Sequence, residues 1–403
     1  MMGLTGNRKP AVFAAILIAV TVLAASQSAR AETFKVLHAF QGGTSDGKSP
    51  SGKLILDASG NLYGLTENGG AQDLGYGTVY KVDATSGNEQ VLYIFTGGAD
   101  GGYASGGLVE DAAGNLYGTT AAGGNASCGG NGCGVVFKLD TAGKEKVLYQ
   151  FGGGNDGGSP NGDLVRDSSG NLYGTAYWGP YGGGGVAFKL NSKGHETVLH
   201  LFTGIPDGEL PEGGLIRDSK GNVFGTTSAG GGGACWGGCG TVFEISKGGK
   251  QTILYHFLGS PDGNLPFAGL LAAGSGKFYG TTYAGGNPTC TFYGAGCGTV
   301  FEVDTSGREK TLYRFRPKKQ QALPGGGLIA DAAGNLYGTT SDDYGTVFKL
   351  DTKGNETILH RFTGGDDGCF PVGDLTMDSA GNLYGVAGEC GTADFGTVYK
   401  IEP

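Results

Sequence analysis

The chain has 403 residues, of which 85 are Gly; 16% are charged, 38% are hydrophobic, and the formal net charge is −9. That much Gly without a G-X-Y period excludes collagen, its poor helix propensity excludes an all-α fold, and 20 Phe with 19 Tyr to bury exclude wholesale disorder. The acidic balance excludes a nucleic-acid partner and an anionic membrane surface, which both require a basic footprint.

Arg8 and Lys9 precede an apolar run over residues 11–25, and Ala29-Arg30-Ala31 places small residues at −3 and −1. This reads as a secretory signal peptide cleaved after Ala31, because the run is too short and too rich in Ala for a membrane anchor. Cleavage removes three basic residues and no acidic one, so the mature chain carries −12. No second apolar run follows, and no membrane insertion of the mature chain is expected.

Residues 33–40 (TFKVLHAF) have the pattern of a single strand. After them an internal repeat begins. Gly60-Asn61-Leu62-Tyr63-Gly64 recurs at Gly114, Gly170, Gly221 (GNVFG), Gly276 (GKFYG), Gly334 and Gly381, at intervals of 54, 56, 51, 55, 58 and 47 residues. Each repeat carries a Gly-Leu segment (Gly107-Leu108-Val109), an NLYGTT segment, a GTVFKLD segment (345–351) and a VLYxF segment (91–95). Their β-branched and aromatic content predicts four strands of five to seven residues. Seven copies of four strands at about 50 residues is a β-propeller period.

Strands one and two, and again three and four, are joined by Asp-x-x-Gly, as in Asp111-Ala112-Ala113-Gly114. Asp followed by a left-handed Gly fits a type I turn closed by a Gly bulge, so one face of the disc is compact. The other two connections are long and variable, and function is expected there. The C-terminal segment 396–403 stops after a third strand, and strand 33–40 supplies the missing fourth. The expectation is one all-β domain over 32–403: a seven-bladed propeller whose last blade the N-terminal strand closes, with no exposed edge.

GNLYGTT, GTVFKLD, VLYxF and the xxDGxxP loop resemble the repeats of the GloVer tandem-repeat extracellular proteins, over residues 41–403 plus the N-terminal strand. The resemblance implies a secreted repeat protein, sometimes with a C-terminal anchor, and carries no catalytic motif. The chain ends at Pro403 without a sorting tail. It lacks the Trp-Asp dipeptide of WD40 blades and the Ser-x-Asp-x-Gly-x-x-Trp box of sialidase-type propellers.

Eight cysteines fall into the pairs Cys128/Cys133, Cys235/Cys239, Cys290/Cys297 and Cys369/Cys390, all on the variable face. An exported chain with an even count favours disulfides, and the spacings, with no His in those loops, argue against zinc. Neither metal nor cofactor is expected. Asp46, Asp100, Asp156, Asp207, Asp262 and Asp367 recur before Gly between blades, a pattern read as turn chemistry, with calcium binding or acid catalysis as the alternative; at 317–321 the sequence Pro-Lys-Lys-Gln-Gln breaks it with a basic spot. The residue before the inner Leu is Gly in four blades but Lys53, Asp163 and Asp374 in the others. Lys53 and Asp374 are expected to pair across a seam, leaving Asp163 as the lone acid near the axis.

Candidate ligand-binding residues are the aromatics outside the repeat pattern, Trp178, Tyr181, Trp236, Phe292 and Tyr293, together with Asp163. Aromatic faces on pinned loops suit a sugar or peptide. The five His residues fall on fourth strands or tight turns and are expected away from the variable loops, leaving no His for acid–base chemistry there. Asp207, Glu209 and Glu212 form the densest acidic loop, and no catalytic residue is singled out. The sequence is read as an exported, secreted or periplasmic, monomeric binding or scaffold module for glycan or an extracellular protein. A carbohydrate-active hydrolase or lyase and a structural envelope or matrix component are the alternatives.

Overall fold

The computed structural model describes residues 32–70, 75–124, 128–180, 183–290, 296–316 and 323–402. The signal segment, Tyr181, Phe292, Tyr293 and the 317–321 basic spot lie outside them. Seven four-stranded antiparallel sheets follow one another along the chain. Blade one is built from Gly47–Leu56, Asn61–Gly69, Thr78–Asp83 and Glu89–Ile94 in that order outwards. Blade seven runs Cys369–Met377, Leu383–Glu389, Thr397–Glu402 and then Thr33–Ala39, so the N-terminal strand is its outermost strand. Its register pairs Thr33 with Glu402 and Ala39 with Thr397.

Strand length departs from expectation at the axis. The innermost strands are nine or ten residues in blades one, two and seven but only two in blades three to six, as in Val165–Arg166 and Ile216–Arg217. In those blades the preceding segment packs on its neighbour instead: a Cβ on Gly162 would meet Gly213, and one on Gly213 would meet Ala268. Thr175 and Thr226 reinforce the contact by donating to the carbonyls of Gly213 and Ala268.

The repeat motif is a packing rule. The Gly ending each NLYG lies under the aromatic ring of the third strand, so that a Cβ on Gly174 would come within 2.8 Å of both Phe188 and Leu164. The ring this admits meets the last aromatic of the preceding blade. One such pair sits at every seam: Phe40–Tyr80, Phe95–Phe137, Phe151–Phe188, Phe202–Phe243, Phe257–Phe301, Phe315–Phe348 and Phe362–Tyr399, with centroids 5.0–5.2 Å apart. Each pair adds about 0.5–1.5 kcal/mol beyond burial of its area.

The tight turns use the motif's polar residues. Asp111 accepts from the backbone of Ala113 and Asn115, from the Asn115 amide and from the Tyr117 hydroxyl, and Gly114 sits at φ +81°. Burial opposes ionisation of this carboxyl, but the donated hydrogen bonds outweigh it and hold Asp111 at about 2.

The outer seams carry a second recurring unit. Tyr93, Tyr149 and Tyr255 each donate to the inter-blade Asp (Asp100, Asp156, Asp262), which also accepts the backbone N–H of Thr96, Gly152 or Leu258. These Asp residues therefore organise the loop, in line with turn chemistry. Burial, and then the nearby Asp, pushes Glu145, Glu196 and Glu309 up to about 7. Because their folded values lie above the ordinary 4.5, the folded chain holds extra protons between about 4.5 and 7. Their contribution is complete below that window and is lost as pH rises through it. Melting temperature is expected to fall between about pH 5 and pH 8, less steeply in a triple Glu→Gln variant at these positions. A melting temperature that rises over this interval contradicts the assignment.

Candidate functional site on the variable face

The axis is a channel of about 530 Å³ lined by the innermost strands of all seven blades. Side chains alternate along these strands. The Leu residues, such as Leu54 and Leu108, are buried against the second-strand Gly. Lys53, Asp163 and Asp374 belong to the ring one residue before them, on the side of the variable face.

Asp163 accepts from the backbone N–H of Gly107, and Asp374 accepts from that of Gly327 at 2.6 Å. Each acid thus reaches back to the preceding blade. The expected Lys53–Asp374 ion pair is not formed, because Asp374 turns towards blade six and Lys53 acts on both acids at longer range. Nor is Asp163 alone. Burial raises both carboxyls above the usual range; their mutual repulsion adds to the effect at Asp374, and Lys53 opposes it.

Around the channel mouth one side is chemically richer than the other. Tyr177, directly after the second strand of blade three, lies near Glu209 and Glu212. Glu212 accepts from Ser228 at 2.8 Å, and its carboxyl is raised because it is buried. Ser105 and Asn161 are in contact at 3.2 Å, and the Phe267 and Tyr283 rings lie 5.2 Å apart. At the matching positions blades six and seven carry only Gly325, Ser341, Val372 and Gly388. The sequence reading missed Tyr177, Phe267 and Tyr283. Aligning the repeats at the residue after NLYGTT, and at the second residue before the inner Gly or Asp, exposes them.

Outside this mouth stand the two tryptophans. Trp178 is 42% exposed and packs edge-on against Tyr177 at 4.6 Å, and Trp236 is fully exposed. Trp236 sits inside the loop closed by Cys235–Cys239, which packs against the next inter-blade loop: Ala234 donates to the Leu258 carbonyl, and Gly259 lies beside both sulfurs. The other disulfides are Cys128–Cys133, Cys290–Cys297 and Cys369–Cys390, with Cα separations of 5.1, 5.5 and 5.3 Å. Four disulfides fit an oxidising extracellular or periplasmic environment.

Two further expectations change. Asp207 is occupied by His200 and by Thr203, so it is not free to partner Glu209 or Glu212. His38, His200 and His360 are not remote from the variable loops. Each sits on a fourth strand two residues before its terminal Phe, and each faces the inter-blade Asp at 3.5, 3.0 and 3.1 Å.

These features define a disulfide-bonded, seven-bladed β-propeller with a built variable face. The chain belongs to the Gloeobacter/Verrucomicrobia repeat family, whose model matches residues 26–237, 125–294 and 232–403. Among curated proteins none matches it. It is similar in structure to a candidate 6-phosphogluconolactonase from Bacteroides uniformis, with 13% identity, TM-score 0.54, and coverage of 85% of this chain and 92% of that one. It is also similar to the extracellular domain of a candidate one-component system from B. thetaiotaomicron, with 10% identity, TM-score 0.57, and coverage of 91% of this chain and 39% of that one. At such identities the likeness is one of fold alone.

Proposed function

We propose that the protein is an exported binding module whose variable face takes a glycan. The observation that carries this reading is Trp236, fully exposed on a disulfide-closed loop, whereas the repeat's phenylalanines are buried in the blade seams. A rigid aromatic loses little entropy on binding and offers a flat apolar face to a sugar ring. On the same variable face Trp178 and Tyr177 supply two further aromatics, and Glu212 and Asn161 supply hydrogen-bonding groups. Export follows from the signal segment, with the mature chain starting at Glu32.

A second reading, a glycan hydrolase or lyase, is favoured by Glu212, whose carboxyl is pushed up by burial and accepts a hydrogen bond from Ser228. A glycan array combined with a reducing-end assay on the protein starting at Glu32 separates them. Binding without release of reducing ends is expected. Release of reducing ends that Glu212→Gln abolishes establishes the enzyme, and a blank array removes the glycan reading.

A further inference from the structure

The seam between blade seven and blade one differs chemically from its six counterparts. At three seams Tyr, Asp and Glu occupy the outer unit, and at the sixth Tyr313 donates to Glu356. At the seam of His200 the Glu position holds Gln251, which donates to the Asp207 carbonyl. At that of His360 it holds Phe34, stacked on the imidazole at 3.6 Å. Among the described residues, imidazole and two carboxylates coincide only where blade seven meets blade one, as His38, Asp46 and Glu89.

The geometry there is also different. His200 and His360 hydrogen-bond their Asp at 3.0 and 3.1 Å, whereas His38 Nε2 stands 3.5 Å from Asp46 Oδ2 and makes no hydrogen bond. Glu89 Oε1 is buried without a hydrogen-bond partner, as are the Oε1 atoms of Glu145 and Glu196 at other seams, so the unpartnered imidazole nitrogen beside it is what this seam adds. Asp46 is held in place by the N–H groups of Gln41 and Gly47, both at 2.7 Å. The loop carrying it has one more residue than its counterparts, with Asp46 six positions after Phe40 where Asp100 is five after Phe95. One ligand atom from each of the three side chains lies within 4.8 Å of the others.

We infer that His38, Asp46 and Glu89 form a site for a divalent transition-metal ion of the zinc type. Tetrahedral coordination with bonds of about 2.0–2.1 Å places ligand atoms about 3.4 Å apart, close to the His38–Asp46 separation, and the flexible Glu89 closes the third edge. A nitrogen with two carboxylate oxygens suits zinc better than calcium or magnesium, which favour all-oxygen shells. The ion would give both orphaned atoms a partner and neutralise the repulsion between Asp46 and Glu89. Its ligands come from the N-terminal strand, the loop that follows it and the outermost strand of blade one. Binding therefore ties the N-terminal strand, the outermost strand of blade seven, to blade one.

The test is titration calorimetry with zinc chloride on the chelator-treated protein starting at Glu32, with melting followed in parallel. His38→Tyr recreates the Tyr-Asp-Glu unit of the sister seams and is expected to fold; Glu89→Gln copies the Gln251 seam. Binding at one ion per chain is expected, with a melting temperature raised by several degrees at saturating zinc. Both variants should bind at least about tenfold more weakly, and Glu145→Gln, at a seam with Tyr, should bind as the parent does. Absence of saturable binding overturns the inference. So does parental affinity in His38→Tyr and Glu89→Gln, or an equal loss in Glu145→Gln.

Discussion

Removing residues 32–40 is expected to abolish cooperative unfolding and drive the protein to aggregate. The strand Thr33–Ala39 is the only partner on the outer side of Thr397–Glu402, so its loss exposes a full row of unpaired backbone groups. It also removes Leu37 and Phe40, which are 8% and 0% exposed, from the packing between blades seven and one. Each such side chain contributes about 1.5–3 kcal/mol when buried, and the Phe40–Tyr80 contact goes with it. On the other seam Phe34 leaves His360, Phe362 and Tyr399 uncovered. The summed loss is comparable with the whole stability of a domain. Light scattering and calorimetry on the truncated chain check this; a monomer with unchanged melting means that the ring is not closed by this strand.

The architecture was legible because every blade solves the same packing problem with the same residues. GNLYG supplies a left-handed Gly for the turn, an Asn and a Tyr for the turn Asp, and a Gly that admits the third-strand aromatic. Those requirements are local, so they repeat in the sequence. Contacts across seams are not local. That Asp374 serves Gly327 rather than Lys53 depends on segments some 50 residues apart, and that His38 stands off from Asp46 depends on the length of the loop between them, which the repeat pattern does not encode. The channel mouth was overlooked for a related reason. Tyr177, Phe267 and Tyr283 depart from the repeat at positions that read as strand ends, whereas the tryptophans stand out by residue type alone.

The claim that the variable face around blades three and four is the binding surface rests on the tryptophans. Trp236 is fully exposed and Trp178 is 42% exposed, and neither belongs to a buried cluster. Replacing either by Ala should therefore leave melting within a degree or two, the behaviour of surface positions. A stacked aromatic at the centre of a site is worth about 1–2 kcal/mol, so each replacement should weaken binding roughly five- to thirtyfold. The most direct measurement is titration of the parent protein, Trp178→Ala and Trp236→Ala with the glycan that the array selects, each paired with its melting curve. The predicted result is a loss of affinity in both variants at unchanged stability; parental affinity with a melting temperature lowered by several degrees would show that the tryptophans only pack the loops and that this face does not hold the ligand.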